Sequence, residues 1–451
     1  MGKYRVLPTM GFVVSLTATL LLGADSRENP PAKTANKPLG KVALLKKIDV
    51  SGFGTWCGLR LGDLNGNGQL DVLLARHRNQ NVTCLTATDI DGQRLWQVGK
   101  PEAGDHKASS DLPVQIYDID LDGTNEVVCV MDGNLKILNG KDGAVEREAP
   151  LPSSDARDCI AFANFSGNDR PQDILIKNRY RKVWALDRNL RTIWSYAGNT
   201  GHYPWPYDFD GDGRDELMCG FTLLDHNGKK KWEAKLPGHA DGVAIGDVDV
   251  DRSNGKEIAL ACCGGNTFAL LNEKGGFLWR HPCGHSQHII IGDFRPDVPG
   301  KEVCCLDRGN NRSATGVDAM VLYSAGGRLL WHEKRTDPGK NRWISIITKV
   351  ENWDGAPGDL ILGYRRGGST PPTLYDGHGK PVAVFPFPNP ENQHFAQHAD
   401  ICGDDREEIV VSNEKDIYIY KNGAPWAGAK HPQKRPQTKP LYNYTLYIGM
   451  P

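Results

Sequence analysis

Short apolar runs alternating with polar turns dominate this chain from residue 41 onward. "VQIYD", "GVAIGD" and "HIIIGD" each lead into an acidic loop, and "EVVCVM", "EIALAC" and "EIVVSN" each lead out of one. A third run follows and ends in a glycine-containing turn. A fourth often carries tryptophan, as in "LTATDIDGQRLW", "LLDHNGKKKW", "LLNEKGGFLW" and "LYSAGGRLLW". Period-two runs of this length, with turn chemistry between them, read as antiparallel strands joined into four-stranded meanders. No amphipathic helix of useful length interrupts them. The acidic loops open at Asp63, Asp118, Asn164, Asp208, Asp247, Asp293, Asn352 and Asp400. Their spacing, roughly 40 to 60 residues, is the period of propeller blades rather than of helical solenoids.

The pattern predicts an all-β chain, an eight-bladed β-propeller of four-stranded antiparallel blades over residues 41–425. The last copy supplies "HADICGD", "EIVVSN" and "DIYIYKNG" but no clear fourth strand. The unclaimed segment "KVALLKKIDV", 41–50, is therefore expected to complete the last blade and leave few exposed strand edges. The tail segment "LYNYTLYIGMP" competes for that role. Residues 1–24 read as a signal peptide, with Lys3 and Arg5 before an apolar stretch and small residues at its end. Residues 25–40 read as a linker and 426–451 as a C-terminal tail. A secreted or periplasmic protein is expected, off the membrane once the leader is removed, and a monomer.

The acidic loops raise a question of charge. "DFDGDGRDEL" sets Asp208, Asp210, Asp212 and Glu216 where they repel one another unless a cation sits among them. Oxygens at loop positions 1, 3 and 5, a glycine turn and a closing acid are the means by which EF-hand-like loops hold Ca²⁺. The same reading applies to Asp63, Asn65, Asn67 and Asp71, to Asp118, Asp120, Asp122 and Glu126, and to Asp247, Asp249, Asp251 and Glu257. Several structural Ca²⁺ sites are expected. "HPCGHSQH" gathers His281, Cys283, His285 and His288 and is the weaker candidate, for Zn²⁺. Eleven cysteines, an odd number, leave at least one unpaired, and those inside apolar runs read as small core residues.

With strands A to D counted from the axis outward, the acidic A–B loops share one end of the barrel with the C–D turns. The B–C loops and D–A crossovers share the other. Sorted this way, the second end collects His, Arg and Tyr. Crossovers carry His106, His202, His239, His285, His288, His394 and His398; B–C loops carry Arg76, His77, Arg78, Arg179, Tyr180, Arg181, Arg308, Arg312, Tyr364, Arg365 and Arg366. Net charge is only −1, so the basic end is local, and nothing global points to nucleic acid or an anionic membrane. A crown without paired carboxylates disfavours glycoside hydrolysis, and no nucleophile-elbow signature stands out. It suits an anionic polysaccharide. In β-elimination at a uronic acid, Arg or a metal neutralises the carboxylate, a His or Tyr removes the C5 proton, and an acid protonates the departing oxygen at C4. The candidate catalytic set is His202 and His239 as acid/base groups, Tyr180 as proton-transfer partner, and Arg179, Arg181 and Arg365 for the carboxylate.

The acidic-loop repeats resemble the FG-GAP/VCBS class of calcium-binding propeller repeats. "GHADGVAIGDVDVDR…GKEI" and "HSQHIIIGDFRPDVPGKEV" are similar to segments of rhamnogalacturonan lyases of polysaccharide lyase family 11 and related secreted propeller lyases. That resemblance, over most of residues 50–420, implies an eight-bladed propeller, structural Ca²⁺ and β-elimination on rhamnose–uronate polysaccharides. The chain departs from the family in being shorter and in its degenerate loops at Asn164 and Asn352. Two rival readings are a non-catalytic carbohydrate-binding or adhesion propeller, and a quinoprotein-like enzyme suggested by the Gly-to-Trp spacing of the blade ends.

Overall fold

Val72, Leu73 and Leu74 are consecutive and all buried, which a sheet with one wet face does not permit. Leu73 packs with Val114 and Val127 on one side, while Val72 and Leu74 pack with Ala399 and Val410 on the other. Every second strand of the repeat behaves alike, so each sheet is a layer pressed between two others. The computed structural model describes residues 41–53, 59–78, 81–101, 112–308, 319–334, 344–365, 371–387 and 394–426. The leader, the linker and nearly all of the C-terminal tail lie outside them, as do the ring candidates His106, Arg312 and Arg366.

Among the described residues the fold is all β, apart from one turn of 3₁₀ helix at Ser51–Phe53. Thirty-two strands form antiparallel four-stranded meanders over 59–99, 114–150, 158–197, 205–233, 239–282, 286–334, 346–384 and 395–422. The eighth takes its outermost strand, Val42–Asp49, from the start of the described chain, paired antiparallel to Asp416–Asn422. Six sheets besides the first two are separate; the first and second meanders join through one parallel bridge, Val82 to Met131. Among the described residues no sheet closes on itself.

Contact between meanders is made by side chains. The innermost strands of consecutive meanders lie side by side from the first to the seventh. Eight hydrophobic clusters each unite two neighbours. One of them joins the eighth meander to the first through Ile48, Leu59, Val72, Val410 and Ile417. Gln397 Nε2 also donates to Leu59 O at 2.8 Å across that junction. Strand B therefore reads as a continuous apolar run because both its faces are covered, whereas outer strands such as Thr192–Ala197 alternate between exposed and half-buried residues.

The acids that close the loops are buried at the start of strand B, as Glu302 is on Glu302–Asp307. Glu302 is fully buried, its Oε2 accepts the Arg295 N–H at 2.8 Å, and its Oε1 has no hydrogen-bond partner. Burial pushes its carboxyl up to about 7, from an ordinary 4.5. A raised carboxyl favours the protonated folded state. The stability it contributes is full below 4.5 and is lost as pH rises through about 7. Glu302→Gln, which keeps the acceptor and removes the charge, is expected to flatten the fall in urea midpoint between about pH 5 and pH 8; an unchanged slope refutes this.

Candidate functional site

Three successive pieces of chain meet at the end of the third, fourth and fifth meanders. Strand Asp173–Lys177 ends in the loop bearing Arg179 and Tyr180. The crossover into the fourth meander carries His202, and strand His239–Gly246 opens the fifth. The His202 N–H donates to Ala240 O at 2.9 Å, and the Thr200 N–H to Tyr180 O at 3.0 Å. These backbone bonds lace the three together. Gly238, at φ +81°, sits where a Cβ would fall 1.8 Å from Cys263 O, so only glycine lets the chain arrive at His239 along this path.

The side chains converge accordingly. Tyr180 Oη lies 3.0 Å from His202 Nε2 and accepts from Arg179 Nε at 3.0 Å. The Tyr180 ring is centred 5.0 Å from that of His202 and 4.8 Å from that of His239, and the two imidazoles are 5.4 Å apart. The Arg179 guanidinium lies 5.3 Å from the Tyr180 ring centre. Beneath them Lys177, wholly buried, pairs with buried Asp158 at 3.5 Å and donates to Arg179 O. A guanidinium donor on a phenol oxygen favours negative charge there.

One member of this cluster is absent from the sequence-derived set. Asp241 is buried at 3% exposure, with Oδ1 2.9 Å from His239 Nε2 and 3.3 Å from His202 Nε2. Neither approach has hydrogen-bond geometry, and Oδ1 is without a hydrogen-bond partner. Its Oδ2 accepts from Gln287 Nε2 at 2.7 Å, and Gln287 Oε1 accepts from Arg308 Nη1 at 2.7 Å. The signal was present in the sequence as "HAD", because residues two apart on a strand share a face. Burial, with help from Arg179, Lys177 and His239, holds His202 well below its usual value against the opposing pull of Asp241. His202 is therefore neutral, and serves as a hydrogen-bond acceptor or metal ligand rather than as a proton donor.

Two imidazole nitrogens and an orphaned carboxylate oxygen within 4.8 Å of one another could hold a metal ion. The donor set fits a divalent cation, and the unsatisfied Asp241 Oδ1 is the observation that favours one.

Arg181 is exposed, and its backbone rather than its side chain supports the site, N–H to Asn178 Oδ1 at 2.9 Å. Arg365 follows strand Leu360–Tyr364 in the seventh meander, at the equivalent loop but four meanders away. Among the sequence-derived candidates, the structure joins Arg179, Tyr180, His202 and His239. The four zinc candidates do not share a point. His281 stacks on Tyr323 at 4.2 Å with Nε2 2.8 Å from Gly327 O, while His285 Nε2 approaches Cys263 Sγ at 3.7 Å and His288 is buried on strand Ser286–Gly292. Strand alternation separates them.

The acidic loops lie at the other end of the strands. Their closing acids accept the N–H of the second loop residue: Asp71 from Leu64, Glu126 from Ile119, Glu216 from Phe209, each at 2.9 Å, and Glu257 from Val248 at 2.7 Å. Opening acids pin the turn, Asp63 from Gly66 and Gly68 at 2.8 Å and Asp208 from Gly211 at 2.7 Å. Asn65, Asn67, Asp122, Asp212, Asp249 and Asp251 each accept a backbone N–H two residues on. Asp118, Asp120 and Asp122 could hold a cation, as could Asp208, Asp210 and Glu216. Cationic side chains already approach these loops. Lys231 Nζ lies 2.9 Å from Asp210 and 3.0 Å from Glu216, Lys256 reaches Asp247 at 2.6 Å, and Arg147 reaches Asp120 at 3.3 Å. Part of the counter-charge demanded by "DFDGDGRDEL" is thus built into the chain.

Comparison with known proteins bears on this geometry. A family model described as Rhamnogalacturonan lyase family 11, C-terminal domain, matches residues 175–263. The chain is 24% identical over 444 residues to the rhamnogalacturonan endolyase YesW of Bacillus subtilis (strain 168), covering 81% of this chain and 67% of that protein. It is 24% identical over 262 residues to the rhamnogalacturonan exolyase YesX of the same organism, covering 43% of this chain and 42% of that one. The crystal structure of YesW superposes with a TM-score of 0.58 at 19% identity, over 87% of this chain and 75% of that one. The V. cholerae biofilm matrix protein Bap1 superposes with a TM-score of 0.60 at 14% identity, over 86% and 92%, so the fold alone does not select an activity.

Proposed function

We propose that this chain is a secreted lyase that cleaves a rhamnogalacturonan-like polysaccharide of rhamnose and uronic acid by β-elimination. The observation that carries the reading is one of position. The segment matched by the rhamnogalacturonan lyase family model, residues 175–263, holds Arg179, Tyr180, His202, His239 and Asp241, the residues that converge in space. We further read the eight meanders as the blades of a β-propeller, with the strand Val42–Asp49 as its closure and the acidic loops as structural Ca²⁺ sites. The shared clusters between all neighbours support the first. Glu126, whose carboxyl burial pushes up to about 8, supports the second, since such a site gains from a bound cation.

The mechanism follows from the residues. His202, His239 and Asp241 would hold a divalent cation, which would supply positive charge to neutralise the uronate carboxylate and so acidify its C5–H. Arg179 favours the anionic form of Tyr180 and holds its oxygen at the rim of the cluster. Tyr180 takes the C5 proton, the electron pair forms the C4–C5 double bond, and the oxygen at C4 leaves with a proton drawn from solvent. Gln287 and Arg308 fix the Asp241 carboxylate from behind, and the buried Lys177–Asp158 pair fixes the loop from below.

The test is direct. Purified protein with Ca²⁺ is incubated with rhamnogalacturonan I, ulvan and a rhamnose–glucuronate gum, and the ultraviolet absorbance of the unsaturated uronate is followed. A rise on rhamnogalacturonan I above the other two is expected. No rise on any of them, from folded and calcium-loaded protein, transfers the assignment to a carbohydrate-binding propeller.

A further inference from the structure

Asp241 belongs to two clusters, and the mechanism uses one of them. On its other side lie Cys263 and His285, whose ligand atoms and that of Asp241 fall within 4.8 Å of one another. Cys263 closes strand Glu257–Cys263 and stands directly opposite His239 in the ladder with His239–Gly246. His285 is held by its backbone, its N–H on Asp307 Oδ1 at 2.7 Å and its carbonyl accepting the Arg308 N–H at 2.8 Å. Cys129, Cys219, Cys262, Cys304 and Cys305, on the same kind of strand, are buried core residues; Cys263 is only half-buried.

We propose that Asp241, Cys263 and His285 form a second metal site, selective for a thiophilic divalent cation such as Zn²⁺, and that its occupation withdraws Asp241 from the His202–His239 cluster. The dimensions agree. A tetrahedral Zn²⁺, with bonds of about 2.3 Å to sulfur and 2.0 Å to nitrogen, sets those atoms about 3.5 Å apart. Cys263 Sγ and His285 Nε2 are 3.7 Å apart. On binding, the thiol loses its proton to solvent, and the thiolate, imidazole and carboxylate leave a fourth position open to water. Thiolate selects Zn²⁺ over Ca²⁺, while the His202–His239–Asp241 set has no sulfur and accepts harder cations. The charged groups facing the site are His239 and Asp307, together with Arg308, which is turned to Gln287. One carboxylate therefore serves two sites of different chemical taste. Only the inhibitory consequence rests on the lyase reading; the metal site itself does not.

Co²⁺, a spectroscopic stand-in for Zn²⁺, tests this on chelator-stripped full-length protein. A thiolate-to-Co²⁺ charge-transfer band is expected in the near ultraviolet. Cys263→Ser should abolish it, and His285→Ala should weaken Co²⁺ binding about tenfold or more. No band in the wild type, or an undiminished band in Cys263→Ser, overturns the site. In the turnover assay, Zn²⁺ is expected to inhibit the wild type, whereas Cys263→Ser keeps its basal rate and resists. Equal inhibition of both overturns the sharing of Asp241. Should no lyase activity be detected, the Co²⁺ band still decides whether the site exists, so the two failures are distinguishable.

Discussion

Tyr180→Phe is expected to lower kcat on the preferred polysaccharide by about 10²- to 10⁴-fold, the range for loss of a positioned proton-transfer group. The substitution isolates the hydroxyl. The ring stays between His202 and His239, whose centroids lie 5.0 and 4.8 Å away, and only the oxygen bonded to Arg179 and His202 disappears. Because that oxygen acts on the reacting proton, kcat and kcat/KM should fall together, with KM little changed. Stability should move by no more than about 1–3 kcal/mol, the cost of stranding a partner of a charge-assisted hydrogen bond. A fall of less than about tenfold in kcat leaves Tyr180 as packing and returns the base to another residue. Arg179→Lys provides the second reading. Lysine keeps the charge but not the guanidinium donor geometry, so part of the Tyr180→Phe loss should reappear.

Much of this cluster was legible in the sequence, for a topological reason. Once strands are counted in fours, every loop is assigned to one end of the strands, and Tyr180, His202 and His239 fall on the same end in consecutive meanders. What loop phase does not supply is position along the series of meanders. Arg365 shares the end with Tyr180 but belongs to the seventh meander, and Arg181 shares even the loop yet turns to solvent. Asp241 was readable from "HAD" but sits on strand residues that look like an ordinary lead-in to an acidic loop. A register shift between Ala240 and Gly242 marks that place in the ladder. Gln287, Arg308 and Cys263 reach Asp241 across the fifth and sixth meanders, through distances that no local pattern encodes.

The acidic loops show the converse case. Their recurrence fixed the repeat, yet the charge argument read only the acids. Lys231 belongs to the outer strand Lys230–Glu233, where a run of three lysines looks like a solvated face. In the folded chain its ammonium stands between Asp210 and Glu216. The pairing of an outer-strand cation with an A–B loop appears only once the meander is folded on itself.

The outer-strand tryptophans carry the second large effect. Trp96→Ala is expected to destabilise the protein by about 3–5 kcal/mol, the range for deleting a large buried aromatic. Trp96 leaves the outer strand Arg94–Gly99 of the first meander and is 7% exposed. Its Nε1–H donates to Gly140 O at 2.7 Å in the outer turn of the second. In that same turn Gly143, at φ +72°, sits where a Cβ would come within 2.8 Å of the Trp96 ring. Indole and turn are therefore fitted to one another across the junction. The device repeats, with Trp194 donating to His226 O, Trp232 to Glu273 O and Trp279 to Ala325 O, at 2.8, 2.8 and 3.0 Å. Each links one meander to the turn of the next, so the loss falls on contacts between layers and not within a sheet. Alanine removes the ring that fills the junction and strands the Gly140 carbonyl, and both terms have the same sign. Trp96→Phe should recover the packing part but not the hydrogen bond, falling between wild type and alanine in a urea titration. If Phe and Ala are equally unstable, the hydrogen bond dominates. If Trp96→Ala costs less than about 1 kcal/mol, the junction between the first two meanders is held by something other than this indole.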